Sequence, residues 1–420
     1  MIIPTPPHLL RSLVIVPYTI LIVAGLTVPS DGSHGLLSIK SLAFIFSMLN
    51  IILYIIAKKT ITSLQLKSLA FLLLSQAFLL TWCFVSLVHN ETPLNSTWDQ
   101  FKIFLLTISV VLATIYLVSE NIISFQRMLK TMIYANFAYS FAKLFLVIFH
   151  LLGFINMWSV IDKLGVRFMS MGIVGIIPRL QTSIDIATPF FLFFFLQAKN
   201  LGIEWKKTFK ISFLVISILT IFLSFSRLLL FAGALSLFLH GITLKLETWK
   251  KFIPIFTVSL IAAVYLIGVD NVYKIVERRL FSTDTAASDD TRMVQVRALL
   301  EEYENYPVFG KGLGGYAENA IRDGKILHSY EVQWVAFLMQ FGVVGLTFIL
   351  FALCLIAVTI LKRPFTTAKT SLFVLFICWL LAGFTNPFLI SLTSGILYVL
   401  FFLTGREINL QRKQAYEIYN

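Results

Sequence analysis

The chain has 420 residues, of which 58% are hydrophobic and 13% charged, with a formal net charge of +13 and a mean hydropathy of +0.86. That composition excludes a soluble globular enzyme and predicts an all-α polytopic membrane protein, a single integral membrane domain over 1–420. The placement of the positive charge excludes a nucleic-acid partner, because the basic residues fall in alternate connections between apolar runs.

A bilayer-crossing helix needs about 20 mostly apolar residues. Runs of this kind recur near 12–28, 36–57, 68–88, 103–119, 131–153, 181–198, 211–225, 228–244, 252–269, 331–361, 370–386 and 388–404, predicting twelve transmembrane helices. The first run follows Pro4, Pro6 and Pro7 without a small-residue cleavage site, so it is expected to stay as a helix. Ser224-Phe-Ser-Arg227 divides 211–244 into two helices joined by a tight hairpin. Lys58, Lys59 and Lys67, then Arg127 and Lys130, then Lys199, Lys206, Lys207 and Lys210 mark one side of the membrane. Lys245, Lys250 and Lys251, then Lys362, Arg363 and Lys369, and Arg406, Arg412 and Lys413 in the tail continue the bias. The positive-inside rule makes that side cytoplasmic, with both termini inside and 89–102, 154–180 and 270–330 outside. Cys83, Cys354 and Cys378 all fall within spans, so no disulfide is expected. The sequons at Asn90 and Asn95 read as a polar turn in preference to glycan acceptors.

Most connections are short, whereas 270–330 is long and charged, and long connections are usually functional or disordered. This one reads as ordered. Ser288-Asp289-Asp290 supplies a helix N-cap cluster, Met293, Val296, Leu299, Leu300 and Tyr303 recur at helical spacing, and Asn305-Tyr306-Pro307 ends the pattern. An amphipathic helix is therefore expected on the outer face, shielding the bundle or holding Arg292 over a pocket. Gly310-Lys-Gly312-Leu-Gly314-Gly315 has the form G-x-G-x-x-G without the buried strand and acidic residue of a dinucleotide site. It reads as a tight turn whose exposed amides are also candidates to touch an anion.

Neither H-E-x-x-H nor Asp-x-Asp occurs, so chemistry without a metal or cofactor is expected. Arginine is the notable outer-face residue: Arg179 opens the sixth span, Arg227 sits in the hairpin, and Arg278, Arg279, Arg292, Arg297 and Arg322 lie in the long loop. A guanidinium forks onto phosphate oxygens as lysine cannot; the plainer reading is an interfacial anchor. Arg227 is singled out because so narrow a hairpin has no need of a cation, and charge at membrane depth is costly. His328 begins the return to the membrane, with Glu331 expected one helical turn later on the same face. That spacing suits a base and its orienting group, or a base beside an acceptor-binding carboxylate; a solvated interfacial histidine is the plainer alternative. Lys143 and Asp185, isolated charges inside spans, are candidates for a mutual structural ion pair.

Together, Ser226-Arg227 at a span start, Asp290-Thr-Arg292, Pro307-Val-Phe-Gly310-Lys-Gly312-Leu-Gly314, and His328-Ser-Tyr-Glu331 running into Gln340-Phe-Gly342-Val-Val-Gly345 resemble the O-antigen polymerase and ligase superfamily over roughly 224–345. Arg179-Leu-Gln-Thr-Ser-Ile-Asp185-Ile-Ala-Thr-Pro189 resembles the sixth-span entry of the polymerases. The resemblance implies a twelve-span glycosyltransferase of the bacterial inner membrane, acting at the periplasmic face without metal or nucleotide. Its implied partners are undecaprenyl-diphosphate-linked oligosaccharide and polysaccharide, membrane lipids and a chain-length regulator. His328 is then the first choice for the catalytic base, with Glu331 as orienting group or alternative base, and Arg227, Arg292 and Arg179 hold the diphosphate. Ser329 stands where the ligase branch often has Asn, which favours a polymerase over a ligase that transfers glycan to lipid A-core. A flippase fits less well, because transporters gather polar sites at the midplane with repeat symmetry, whereas the polar residues here concentrate at outer ends.

Overall fold

The structure, a computed structural model, describes residues 8–29, 39–58, 62–89, 91–164, 170–174, 177–242, 283–321, 324, 326–363 and 365–419. The expected ninth span at 252–269, Arg278, Arg279, Arg322 and the start of the 270–330 connection lie outside the described residues.

The apolar runs fold as helices because only a helix satisfies its backbone within one segment when water is absent. In chain order they are α1 (His8–Thr27), α2 (Ile39–Lys58), α3 (Ser63–His89), α4 (Leu94–Ser119) and α5 (Phe125–Leu151), followed by a short α6 (Met157–Leu164). After a β-hairpin come α7 (Thr188–Gln197), α8 (Lys207–Leu223), α9 (Arg227–Ile242), α10 (Thr283–Asn305), α11 (Gln333–Leu361), α12 (Thr367–Leu381) and α13 (Leu392–Tyr419). Among the described residues, six helices are long and apolar enough to cross a membrane, and Arg11–Thr27 and Arg227–Ile242 are shorter apolar helices beside them. The described residues thus carry six of the twelve expected spans by length and composition.

Four local expectations are corrected. The described fold is in keeping with an all-α membrane protein, with one local exception: in the expected outer segment 154–180, α6 is followed by an antiparallel hairpin of β1 (Ser170–Val174) and β2 (Ile177–Gln181), with Gly172 opposite Arg179. The run at 181–198 is not a full-length helix, because a 3-10 turn at Asp185–Ala187 leads into the ten-residue α7. Phe190 to Phe195 are all buried, so this segment is apolar because it lies inside the bundle. The third correction concerns Ser288-Asp289-Asp290, which lies inside α10, since the helix already starts at Thr283. Finally, 331–361 is broken at Gly342, whose φ of 61° and ψ of −173° interrupt α11.

The hairpin expected at Ser224-Phe-Ser-Arg227 is present, with α8 ending at Leu223, Phe225 at a positive φ of 46° and α9 starting at Arg227. Lys143 and Asp185 do pair, Nζ lying 2.8 Å from Oδ1 with both side chains almost fully buried. The Tyr139 hydroxyl and the Thr182 amide also donate to that carboxylate, at 3.1 and 2.7 Å. Asp185 thereby fixes the turn between β2 and α7 to the side of α5.

α4 sets the long axis of the bundle: its 26 residues span about 39 Å at 1.5 Å per residue. At its C-terminal end Glu120 meets Lys58 at 2.8 Å, Arg11 donates to Asn121 O, and Arg406 bonds Ser119. These contacts bring α1, α2 and α13 together at one basic end. The glycine loop and His328 meet α4 at the opposite end.

Candidate functional site

Pro307-Val-Phe-Gly310-Lys-Gly312-Leu-Gly314 and Gln340-Phe-Gly342-Val-Val-Gly345 form one structural device. A broken helix in an apolar setting leaves amides and carbonyls without intrahelical partners, and the glycine loop supplies them. The amides of Val343 and Val344 donate to Pro307 O and Val308 O, while Met339 O and Gln340 O accept from the amides of Lys311 and Gly312, all at 2.9–3.1 Å. Such an approach admits no side chain between the two backbones: a Cβ on Gly310 falls 2.5 Å from Gln340 C, and one on Gly342 falls 2.5 Å from Gly310 N. Trp82 of α3 seals the joint, its indole N–H donating to Phe309 O at 2.7 Å and Phe341 O at 3.1 Å.

The anion-binding reading of the loop is not supported, because its amides are already used. Gly310 N donates to Tyr306 O, Leu313 N to Trp82 O, Gly315 N to Gly312 O, and Gly314 N to Gln100 Oε1. The loop is therefore a buried scaffold. Its tip lies against the first turn of α4, where Ser96 donates to Gly314 O at 2.9 Å and Thr97 to Leu313 O at 3.0 Å. Ser96 and Thr97, seen in the sequence only as part of a sequon, are buried residues of this contact. Gln340 Nε2 donates to Gly315 O, and Gln100 Nε2 to Gln340 Oε1.

His328 stands on this scaffold, with Nδ1 3.0 Å from Ser96 Oγ. The stretch 328–331 is turn and bend, and α11 begins only at Gln333, so the helical spacing expected between His328 and Glu331 is not formed. At three residues' separation their Cα atoms are nonetheless at most about 11 Å apart. Glu331 forms an ion pair with Arg292 of α10, Oε2 lying 2.9 Å from Nε. Gln295, one turn along α10, accepts from the Glu331 amide at 3.0 Å. The buried face of α10 is Gln295, Ala298 and Leu299, whereas Met293 and Leu300, expected on the apolar face, are exposed. Tyr330 locks the next turn, its hydroxyl accepting from Ala317 N at 2.7 Å, and burial pushes its phenol up to about 12.

Lys311, which the sequence reading left without a role, ties α10 to the loop. It is buried and lies 2.9 Å from Glu302 and 3.2 Å from Glu91. Burial opposes its charge, yet the hydrogen bonds to Glu302 and Glu91 outweigh it and hold the ammonium above its usual range. The Tyr306 hydroxyl, donating at 2.7 Å, and Lys311 together hold the Glu91 carboxyl below its usual range.

Arg179 and Arg227 belong to a second locality. Arg179, on β2, donates from Nε to Ser224 O at 3.3 Å, which docks the hairpin on the turn that opens into Arg227. Arg227 is exposed at the first position of α9. The five expected site residues thus fall into two structural groups, Arg179 and Arg227 where β2 docks on the α8–α9 turn, and Arg292, His328 and Glu331 where α10 faces the turn before α11.

No curated protein matches the chain. Residues 212–350, which hold Arg227, Arg292, the glycine loop, His328 and the break at Gly342, match the family model described as O-Antigen ligase, and over this stretch the match supports the likeness to the O-antigen polymerase and ligase superfamily.

Proposed function

We propose that the chain is an O-antigen polymerase of the bacterial inner membrane. It transfers a growing glycan from undecaprenyl diphosphate to a new lipid-linked repeat unit at the periplasmic face. The observation that supports this reading best is the polar pair of contacts on one short turn, His328 on Ser96 and Glu331 on Arg292, at the end of the bundle opposite the basic one.

In the reaction, an acceptor hydroxyl attacks the anomeric carbon of the donor sugar as the bond from that carbon to the diphosphate oxygen breaks. The electron pair leaves with the diphosphate. Its growing negative charge is stabilised by guanidinium groups, the role of Arg227, Arg292 and Arg179. The hydroxyl proton passes to His328 during attack, since an alcohol is too weakly acidic to react unaided. A single displacement of this kind inverts the anomeric centre. Glu331 holds Arg292 in place, and the mechanism calls on no metal or cofactor.

A ligase acting on the same donor with lipid A-core as acceptor is the second reading, favoured by the description of the matched family model. Product analysis of a deletion strain separates the two. Loss of a polymerase leaves core capped with a single repeat; loss of a ligase leaves bare core. The polymerase reading predicts the single-repeat cap, and bare core would overturn it in favour of the ligase.

The orientation is proposed from the basic end, which carries Arg11, Lys58 and Arg406 and is assigned to the cytoplasm with both termini. A cysteine replacing the exposed Arg297 on α10 is expected to react with a membrane-impermeant maleimide in spheroplasts, and one replacing Lys207 only after lysis. The reverse pattern inverts the topology and removes the periplasmic site. A chain-length regulator, as proposed partner, would meet the chain on this same face.

A further inference from the structure

We infer that Ser96 is a positioning residue that fixes the tautomer of His328, placing the ring hydrogen on Nδ1 and the lone pair on Nε2. The inference deepens the proposed function, since it names the nitrogen that accepts the acceptor's proton.

The argument is a count of hydrogens. A serine hydroxyl has one hydrogen and two acceptor lone pairs, a carbonyl oxygen only accepts, and a neutral imidazole has one N–H and one acceptor nitrogen. Ser96 Oγ lies 2.9 Å from Gly314 O and 3.0 Å from His328 Nδ1. Gly314 O has no hydrogen to offer, so Ser96 must spend its own on that contact. The bond to His328 then requires a hydrogen from Nδ1, and the neutral ring carries its lone pair on Nε2.

The Gly314 carbonyl is not free to turn away and release the serine hydrogen. The Gly315 amide, in the same peptide plane as that carbonyl, donates to Gly312 O at 3.2 Å; the Gly314 amide before it donates to Gln100 Oε1, and Gln100 is held by Gln340, whose own Nε2 donates to Gly315 O. Both glutamines and Ser96 are buried, so water does not compete for these groups. Donation thus runs one way, from the imidazole to Ser96 and from Ser96 to Gly314 O, and then from the Gly314 amide to Gln100, from Gln100 to Gln340 and from Gln340 to Gly315 O. Ser96 does not reach the reacting atoms in this arrangement; it acts through His328, as a group that sets which ring nitrogen is available does elsewhere.

Nitrogen-15 spectra of the full-length protein in lipid nanodiscs, with labelled histidine and His328 assigned by difference from His328→Ala, test the tautomer directly. A hydrogen on Nδ1 is expected, and a hydrogen on Nε2 in the neutral ring overturns the inference. Turnover is then measured with the lipid-linked glycan extracted from cells lacking the chain. Ser96→Ala is expected to lower kcat about 10-fold to 100-fold, less than the roughly 10²–10⁴-fold cost of losing a general base, with KM for the lipid donor unchanged. Ser96→Thr, which keeps the hydroxyl, restores most of the rate, and Ser96→Ala added to His328→Ala costs nothing more. A Ser96→Ala enzyme at wild-type rate, or a further loss in the His328→Ala background, refutes the positioning role. Should Ser96→Ala fail to accumulate, the nitrogen-15 result on the unaltered protein still decides. Should His328→Ala itself retain full activity, the assignment of the base fails instead, and the tautomer stands or falls on the spectra alone.

Discussion

His328→Ala is expected to abolish polymer formation while the protein still inserts and still binds lipid-linked donor. The separation follows from the division of labour in the proposed site, where the imidazole takes the proton and the arginines hold the diphosphate. Losing a positioned general base costs about 10²–10⁴-fold in rate, enough to remove long chains from a glycan ladder. His328 meets the scaffold at Ser96 Oγ and is half-buried, and the Gly314 contacts are made by Ser96 and Gln100 rather than by the imidazole, so truncation leaves them standing. Donor binding and polymerisation measured on the same purified variant check the claim. An active His328→Ala beside a dead Glu331→Ala would transfer the role of base to the carboxylate, and two active variants would remove this turn from the chemistry altogether.

The parts of the fold legible in the sequence are those governed by a single local rule. Apolar length predicted the helices from α1 to α5, and the polar interruption at Ser224 to Arg227 predicted the α8–α9 turn. Isolated charges within apolar runs announced the Lys143–Asp185 pair, because such charges seek each other when water is absent. The sequence did not reveal features that depend on long-range backbone contact. Gly342 lies in a run apolar enough for an unbroken helix, and only the approach of Pro307 to Gly312, about thirty residues away, makes the break affordable by satisfying its backbone. The 181–198 run misled for a related reason: apolarity reports burial in protein as well as exposure to lipid, and α7 is buried on all sides.

For the site, residue type was legible and pairing was not. Glu331 and His328 were selected by their spacing, yet the contact partner of the carboxylate is Arg292 on α10, and that of the imidazole Nδ1 is Ser96, more than two hundred residues earlier. A signal for Ser96 did exist in the sequence. Ser96, Thr97 and Gln100 place three polar side chains in the first turns of an apolar run, where a helix facing lipid would carry none. Read together with the glycines of 310–315, which demand close backbone approach from some other element, that polar turn is the natural surface for them to meet.

Gly314→Ala is expected to be as damaging as the loss of His328 itself, although the residue carries no chemistry. Its φ of +75° is already unfavourable for a residue with a side chain, and an added Cβ falls 2.5 Å from Ser96 C and closer still to Thr97 N. Both obstacles are backbone atoms in the first turn of α4, held there by helix hydrogen bonds, so neither can yield as a flexible side chain would. A left-handed backbone costs about 1–2 kcal/mol for a residue with a Cβ, and overpacking adds about 1–3 kcal/mol. The loop escapes that cost by lifting off α4, which separates Ser96 from Gly314 O and Gln100 from Gly314 N, and carries His328 away from its support. Gly324 in the same connection provides the control, because a Cβ there meets nothing within 4 Å, and Gly324→Ala should behave as wild type. Glycan ladders and detergent melting temperatures of the two variants give the comparison. If Gly314→Ala matches Gly324→Ala in both, the glycine loop does not seat on α4, and the scaffold assigned to His328 is wrong.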